Sequence, residues 1–204
     1  LDRSVSGVSL DELGKVTPKI FDGTSASPLE DGAVVMRATL PEDKYSDISI
    51  INIFQQGTGD EIVFPDDGFS AETALVNGKE VNFAAYVNNQ KLDIRLPLVA
   101  DYYGVQVNTS FQKVDQENNN VSFYAPVFKG MVYKHAAPVT NYGEEFIAQI
   151  PDEGMDSILF SCNCILNYLY SELEGKKTST ITGPMTFGEI AYQLLNQTMV
   201  YLTI

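Results

Sequence analysis

From Ser46 onward, short apolar runs recur at strand length. Ile48, Ile50, Ile51, Ile53 and Phe54 read as a buried strand. Val105, Val107, Thr109 and Phe111 alternate with Gln106, Asn108, Ser110 and Gln112, a period of two that sends the apolar set to one face. Val121, Phe123, Ala125 and Val127 repeat that rhythm after a polar stretch over 116–120. The two runs are expected to pair antiparallel, each with a polar outer face. Asn77-Gly78 stands between two strand-like runs within 72–83. This is a type I′ hairpin signal, because both central residues of such a turn need positive φ. Lys91 to Leu96 is predicted as a further short strand.

Helical spacing enters later. Thr140 is a predicted cap for a helix carrying Tyr142, Phe146, Ile147 and Ile150, with Glu144 and Glu145 in its first turn and Pro151 as its stop. Ser157 to Ser161 reads as a short inner strand. Cys162, Leu166, Leu169 and Leu173 then recur at helical spacing, with Gly175 as terminator. Thr198 to Ile204 returns to strand. Residues 1–45 are rich in Ser, Gly, Asp and Pro, with Asp22-Gly23-Thr24-Ser25 and Ser27-Pro28 as breakers. They read as an irregular lead-in with short elements near Leu10–Leu13 and Ala33–Leu40. The expected fold class is α+β: a largely antiparallel β-sheet with helices concentrated in the C-terminal third, and residues 46–204 forming a single domain.

A chain of 204 residues can bury a core without disulfides or metal. The 13 Lys and Arg against 27 Asp and Glu give a net charge of −14, which argues against non-specific binding to nucleic acid or to an anionic membrane. No run approaches the roughly 18 apolar residues that a membrane span needs. The first residues carry no apolar stretch of a signal peptide, so none is expected, although the missing Met leaves a removed segment open. Cys162 and Cys164 are too close in sequence for an unstrained bridge. Free thiols in a reducing compartment, and hence a cytoplasmic location, are expected.

Candidate chemistry is sparse. Gly57-Thr58-Gly59 begins a phosphate-loop pattern, but Ile62 fills the third glycine position and no Lys-Ser/Thr follows. Asp115, Glu117 and Asn119 start a calcium-loop spacing that fails at Pro126, so a polar hairpin loop is expected. His135 is the single histidine, and Cys-x-Cys is a poor zinc spacing; neither metal nor cofactor is expected. Asp66-Asp67, Glu144-Glu145 and Glu172 with Glu174 read as solvated faces and turn formers. Cys162, where the predicted strand meets the predicted helix, is a candidate nucleophile with His135 as base and Glu189 as orienter. Packing as a small hydrophobe is the plainer reading. Glu189 stands between apolar neighbours and needs a donor from the protein or from a ligand.

Phe160-Ser161-Cys162, a Leu/Tyr-rich helix, Gly183-x-x-x-Phe187-Gly188-Glu189-Ile190 and Asn196-Gln197-Thr198 before a final strand follow one another in the C-terminal third. This order resembles the C-terminal part of the FIST domain, over roughly residues 95–204. The resemblance implies a sensory, signal-transducing module that binds a small molecule, amino acids among them, without catalysis, and passes the signal to a protein partner. It makes Ser161, Cys162, Gly188, Glu189 and Asn196 the expected ligand-binding residues. The family tends to carry an Arg shortly after Ser-Cys; here no Arg follows Arg95. The alternatives are an enzyme with Cys162 as nucleophile and an acidic protein-interaction scaffold.

Overall fold

The computed structural model describes residues 37–151, 157–173, 181 and 183–204, with positions 15, 19, 20, 27–30, 33 and 35 before them. The chain divides into two compact units, Leu1–Tyr45 and Ser46–Ile204. In the first, Ile20 and Leu29 exchange backbone hydrogen bonds of 2.9 Å, and Lys19 pairs with Glu30 at 2.7 Å in an exposed setting. The expected elements at Leu10–Leu13 and the breakers at 22–25 lie outside the described residues. The described positions of Ala33–Leu40 have no regular structure.

The second unit begins with β1 (Asp47–Ile51), β2 (Ile62–Val63), β3 (Gly68–Ala71), β4 (Thr73–Val76), β5 (Lys79–Asn82) and α1 (Phe83–Asn89). β6 (Leu98–Tyr102), β7 (Val105–Thr109), β8 (Phe111–Asp115), β9 (Asn120–Val127), β10 (Val132–His135) and α2 (Tyr142–Ala148) follow. It ends with β11 (Ile158–Cys164), α3 (Ile165–Tyr170), β12 (Met185–Thr186), β13 (Glu189–Ala191), β14 (Gln193–Leu195) and β15 (Met199–Thr203). The strands form a six-stranded sheet β5-β4-β2-β10-β6-β7, a three-stranded sheet β3-β9-β8, a four-stranded sheet β1-β15-β11-β12 and the hairpin β13-β14. Pairing is antiparallel except between β11 and β12.

Strand alternation sorts side chains among three apolar clusters. Leu98 and Ala100 of β6 pack with Phe64, Phe83, Val121 and Phe123 between the six- and three-stranded sheets. Val99, one position out of phase, joins Ile51, Phe54, Phe146 and Met199 on the other side. The four-stranded sheet is covered on both faces. Met199 and Tyr201 face α2, whereas Val200, Ile48, Ile50 and Cys162 face Ala191 and Leu195 of the β13-β14 hairpin.

The α+β expectation is overturned. Strands take 43% of the residues and helices 13%, so the unit is mostly β. The helices are short and scattered rather than gathered in the C-terminal third. α1 replaces the end of an expected strand because Asn82 accepts from the Ala85 N–H at 2.8 Å and starts a helix there. β11 runs on to Cys164, past the expected helix start at Cys162, because β15 on one side and β12 on the other take its backbone groups. Asn141, rather than Thr140, caps α2. The expected terminator Gly175 lies outside the described residues. Lys91 to Leu96 is a turn, with Lys91 at φ 52° and Asp93 accepting from the Arg95 N–H. The run from Val105 breaks at Ser110, so β7 pairs with β6 and only β8 pairs with β9.

The Asn77-Gly78 hairpin forms as expected, with φ of 49° and 81° joining β4 to β5. Gly183 is required for space: a Cβ there would lie 2.0 Å from the Ser161 carbonyl oxygen and 2.6 Å from its Oγ. Gly183→Ala is therefore expected to cost about 2–3 kcal/mol in urea unfolding, since backbone has to move to admit the methyl. An unchanged unfolding midpoint would contradict this close approach.

Candidate functional site

The β11 backbone divides the residues picked out by sequence. Cys162 pairs in register with Val200 and packs with Ala191 and Leu195 on the hairpin face. Ser161 and Asn163 pair with Tyr201 and Met199 and share their opposite face. Glu189 opens β13 on the Cys162 side and is 2% exposed. Gly188 precedes it at φ +127°, a conformation that disfavours a side chain. The structure thus brings Cys162, Gly188 and Glu189 together and leaves Ser161 behind the strand.

Both Glu189 oxygens meet hydroxyls. Thr198 Oγ1 donates to Oε2 at 2.9 Å, and Thr186 Oγ1 lies 3.2 Å from Oε1. Burial raises the carboxyl from its ordinary 4.5 to about 8, against the lowering effect of these two contacts. Burial, and then the nearby Glu189, push both the Cys162 and Cys164 thiols up to about 11. Cys162 lies inside β11, and Cys164 holds the N-cap position of the six-residue α3. His135 Nε2 is 3.0 Å from the Asp93 carbonyl oxygen, and the ring lies beside Phe111. A protonated thiol and a histidine engaged elsewhere are poor parts for a nucleophilic pair.

Asn196 is engaged within the protein through both of its oxygens. Its Oδ1 accepts from the Ser110 N–H at 3.1 Å and the Ser110 hydroxyl at 2.7 Å, while its carbonyl accepts from Asn108 Nδ2 at 3.1 Å. The Ser110 oxygen is also 2.5 Å from Gln197 Oε1, so a single hydroxyl proton serves two acceptors. Gln197 Nε2 donates to the Arg95 carbonyl at 2.9 Å and to Tyr142 Oη at 3.2 Å. Tyr142 donates to Asn167 Oδ1 at 2.5 Å, and Asn167 Nδ2 to Asn163 Oδ1 at 3.1 Å. A buried polar chain therefore runs from Asn108 to Asn163.

Asn163, Asn167 and Ser171 recur every four residues, and all three are at most 3% exposed. They form a polar stripe beside the apolar positions read from helical spacing, of which Leu166 and Leu173 are buried as expected and Leu169 is 41% exposed. Among the described residues, three buried side-chain atoms make no hydrogen bond: Asn163 Nδ2, Ser171 Oγ and Asn196 Nδ2. Sequence reasoning missed Asn163, Asn167, Ser171, Ser110, Tyr142 and Gln197 as a group. The four-residue spacing of the first three was the available signal.

Among the described residues no group of three or more His, Cys, Asp and Glu side chains is placed to hold a metal ion. Asp115 instead joins the β8-β9 turn, bonding Lys113 and Asn118. The model of DUF6976, a family of unknown function, matches residues 4–204. The chain belongs to this family. Comparison with curated proteins and with solved structures gives no significant match.

Asn196→Leu is expected to destabilise by about 2–3 kcal/mol, because the Ser110 N–H loses its acceptor while staying buried. Ser110→Ala keeps that N–H bond and should cost about 1 kcal/mol. Urea unfolding of the two variants checks the order, and a reversed order would contradict the role given to Asn196.

Proposed function

We propose that this chain is a non-catalytic sensory module that binds a small polar molecule and relays its occupancy to a signalling protein. The observation that carries the reading is the pair of buried, unpartnered groups on one stripe, Asn163 Nδ2 and Ser171 Oγ. An amide N–H left without an acceptor costs about 1–3 kcal/mol, and a guest bearing a carbonyl or carboxylate oxygen would recover that loss. Ser161 shares this face and Tyr142 and Asn167 border it, so the ligand locus is assigned here. The resemblance to the FIST domain favours the same class of function and brings amino acids into the candidate ligands.

The raised Cys162 thiol supports a non-catalytic reading. A cytoplasmic setting is proposed from the free Cys162 and Cys164. Among the described residues no helix is long and apolar enough to cross a membrane. The net charge of −14 disfavours nucleic acid and anionic lipid as partners. A second reading, a protein-interaction scaffold, is favoured by the outward apolar side chains Phe187, Ile190, Tyr192 and Leu194.

Thermal-shift titration with the standard amino acids and simple mono- and dicarboxylates tests the ligand reading. A ligand at a hundred times its Kd should add about 2.7 kcal/mol of stability. Asn163→Leu should abolish the shift while Ile190→Ser retains it. A shift that survives Asn163→Leu would remove the stripe from the site, and the absence of a shift across the panel would count against this ligand class. Cys162 should alkylate slowly at neutral pH; fast alkylation would favour the nucleophile.

A further inference from the structure

We infer that Glu189 is held as a neutral carboxylic acid whose proton latches the β13-β14 hairpin onto β11 and β15, so that loss of this proton releases the hairpin. The inference is independent of the ligand reading, which concerns the other face of β11.

A count of hydroxyl protons carries it. Thr198 has one and gives it to Glu189 Oε2 at 2.9 Å. Thr186 has one, and its oxygen lies 3.2 Å from both Glu189 Oε1 and the Asn163 carbonyl oxygen. If Glu189 is ionised, Thr186 must leave one of these two acceptors without its proton. If Glu189 is protonated on Oε1, that O–H donates to Thr186 Oγ1, Thr186 donates to Asn163, and Thr198 donates to Oε2. Each proton then has one acceptor, and each of these oxygens takes part in a bond.

The surroundings favour the same state. The titratable groups that face Glu189 from β11 are Cys162 and Cys164, both with raised thiols. Tyr201 of β15 packs on the opposite face of the sheet. Tyr102 of β6 reaches the same apolar cluster, with its hydroxyl engaged by Tyr133. β12 and β14 supply Met185, Thr186, Gln193, Leu194 and Leu195, and β7 supplies Val105 to Thr109, none of them titratable. Tyr192, at the hairpin tip, is 84% exposed. No cation among the described residues acts on the carboxyl, and an unpaired carboxylate in an apolar setting is unfavourable.

The direction of the pH effect follows. Once released, Glu189 returns to its ordinary value of 4.5, whereas docked it titrates at about 8. Below the lower value both states hold the proton and the latch is fully present. Between the two values opening frees a proton, so docking weakens as pH rises, by about tenfold per pH unit. Above the upper value both states are ionised and the dependence flattens.

Hydrogen exchange of the Glu189–Leu195 backbone amides, corrected for intrinsic exchange, tests this between about pH 5 and 9. The opening constant of the native chain should rise about tenfold per unit up to about pH 8. It should show no such trend in Glu189→Gln, which keeps shape and neutrality. Infrared spectra of the native chain at pH 6 should contain a protonated-carboxyl band that Glu189→Gln lacks. A flat profile, an equal slope in Glu189→Gln, or the absence of that band would overturn the proposal. Should the Gln variant not fold, Thr198→Val gives a second reading. Removing a donor to the ionised form should move the upper end of the window to higher pH, and an unmoved window would overturn the latch.

Discussion

The hydrogen bonds from Ser110 to Asn196 Oδ1 are the constraint on which the arrangement of sheets rests. At Ser110 the chain leaves the edge of the six-stranded sheet and enters the edge of the three-stranded one. A backbone that changes sheets within one residue interrupts its ladder, and the freed N–H is buried there. Asn196 accepts it at 3.1 Å, while the Ser110 carbonyl accepts from the Tyr124 N–H at 2.9 Å. Both backbone groups of the crossing residue are thereby satisfied. The strand turned in this way places Phe111 opposite Phe123, inside the largest apolar cluster.

From that crossing the polar chain extends through Gln197, Tyr142 and Asn167 to Asn163. Buried amides and hydroxyls are costly unless paired, so such a chain fixes the geometry of the elements it joins. It ties the β15 entrance to α2 and to α3, two helices too short to hold themselves by propensity. Within this chain Asn163 Nδ2 and Asn196 Nδ2 make no hydrogen bond with the described residues.

β11 separates two chemical environments. One face carries thiols, an acid and apolar side chains beneath a small hairpin; the other carries hydroxyls and amides beneath two helices. Because successive residues of a strand point to opposite faces, Ser161 and Cys162 lie on different sides of the sheet despite their adjacency. A motif read as a contiguous string joins residues that the strand separates. Glu189 meets Thr186, three residues before it, and Thr198, nine residues after it, because the β13-β14 hairpin folds this short stretch back on itself.

The sequence by itself determined the type I′ hairpin at Asn77-Gly78, most strand positions after Ser46, and the burial of Glu189 between apolar neighbours. Each depends on local information: a turn that demands positive φ, a two-residue alternation, or flanking hydrophobicity. It did not reveal where β11 ends, because its helical spacing at 162–173 competes with pairing to β15 and β12, and long-range backbone bonds prevailed. Nor did it show that Asn196 serves Ser110, since an amide side chain 86 residues away leaves no periodic trace. Only the tertiary structure decided which face each site residue occupies, because strand register is set by partners distant in the chain.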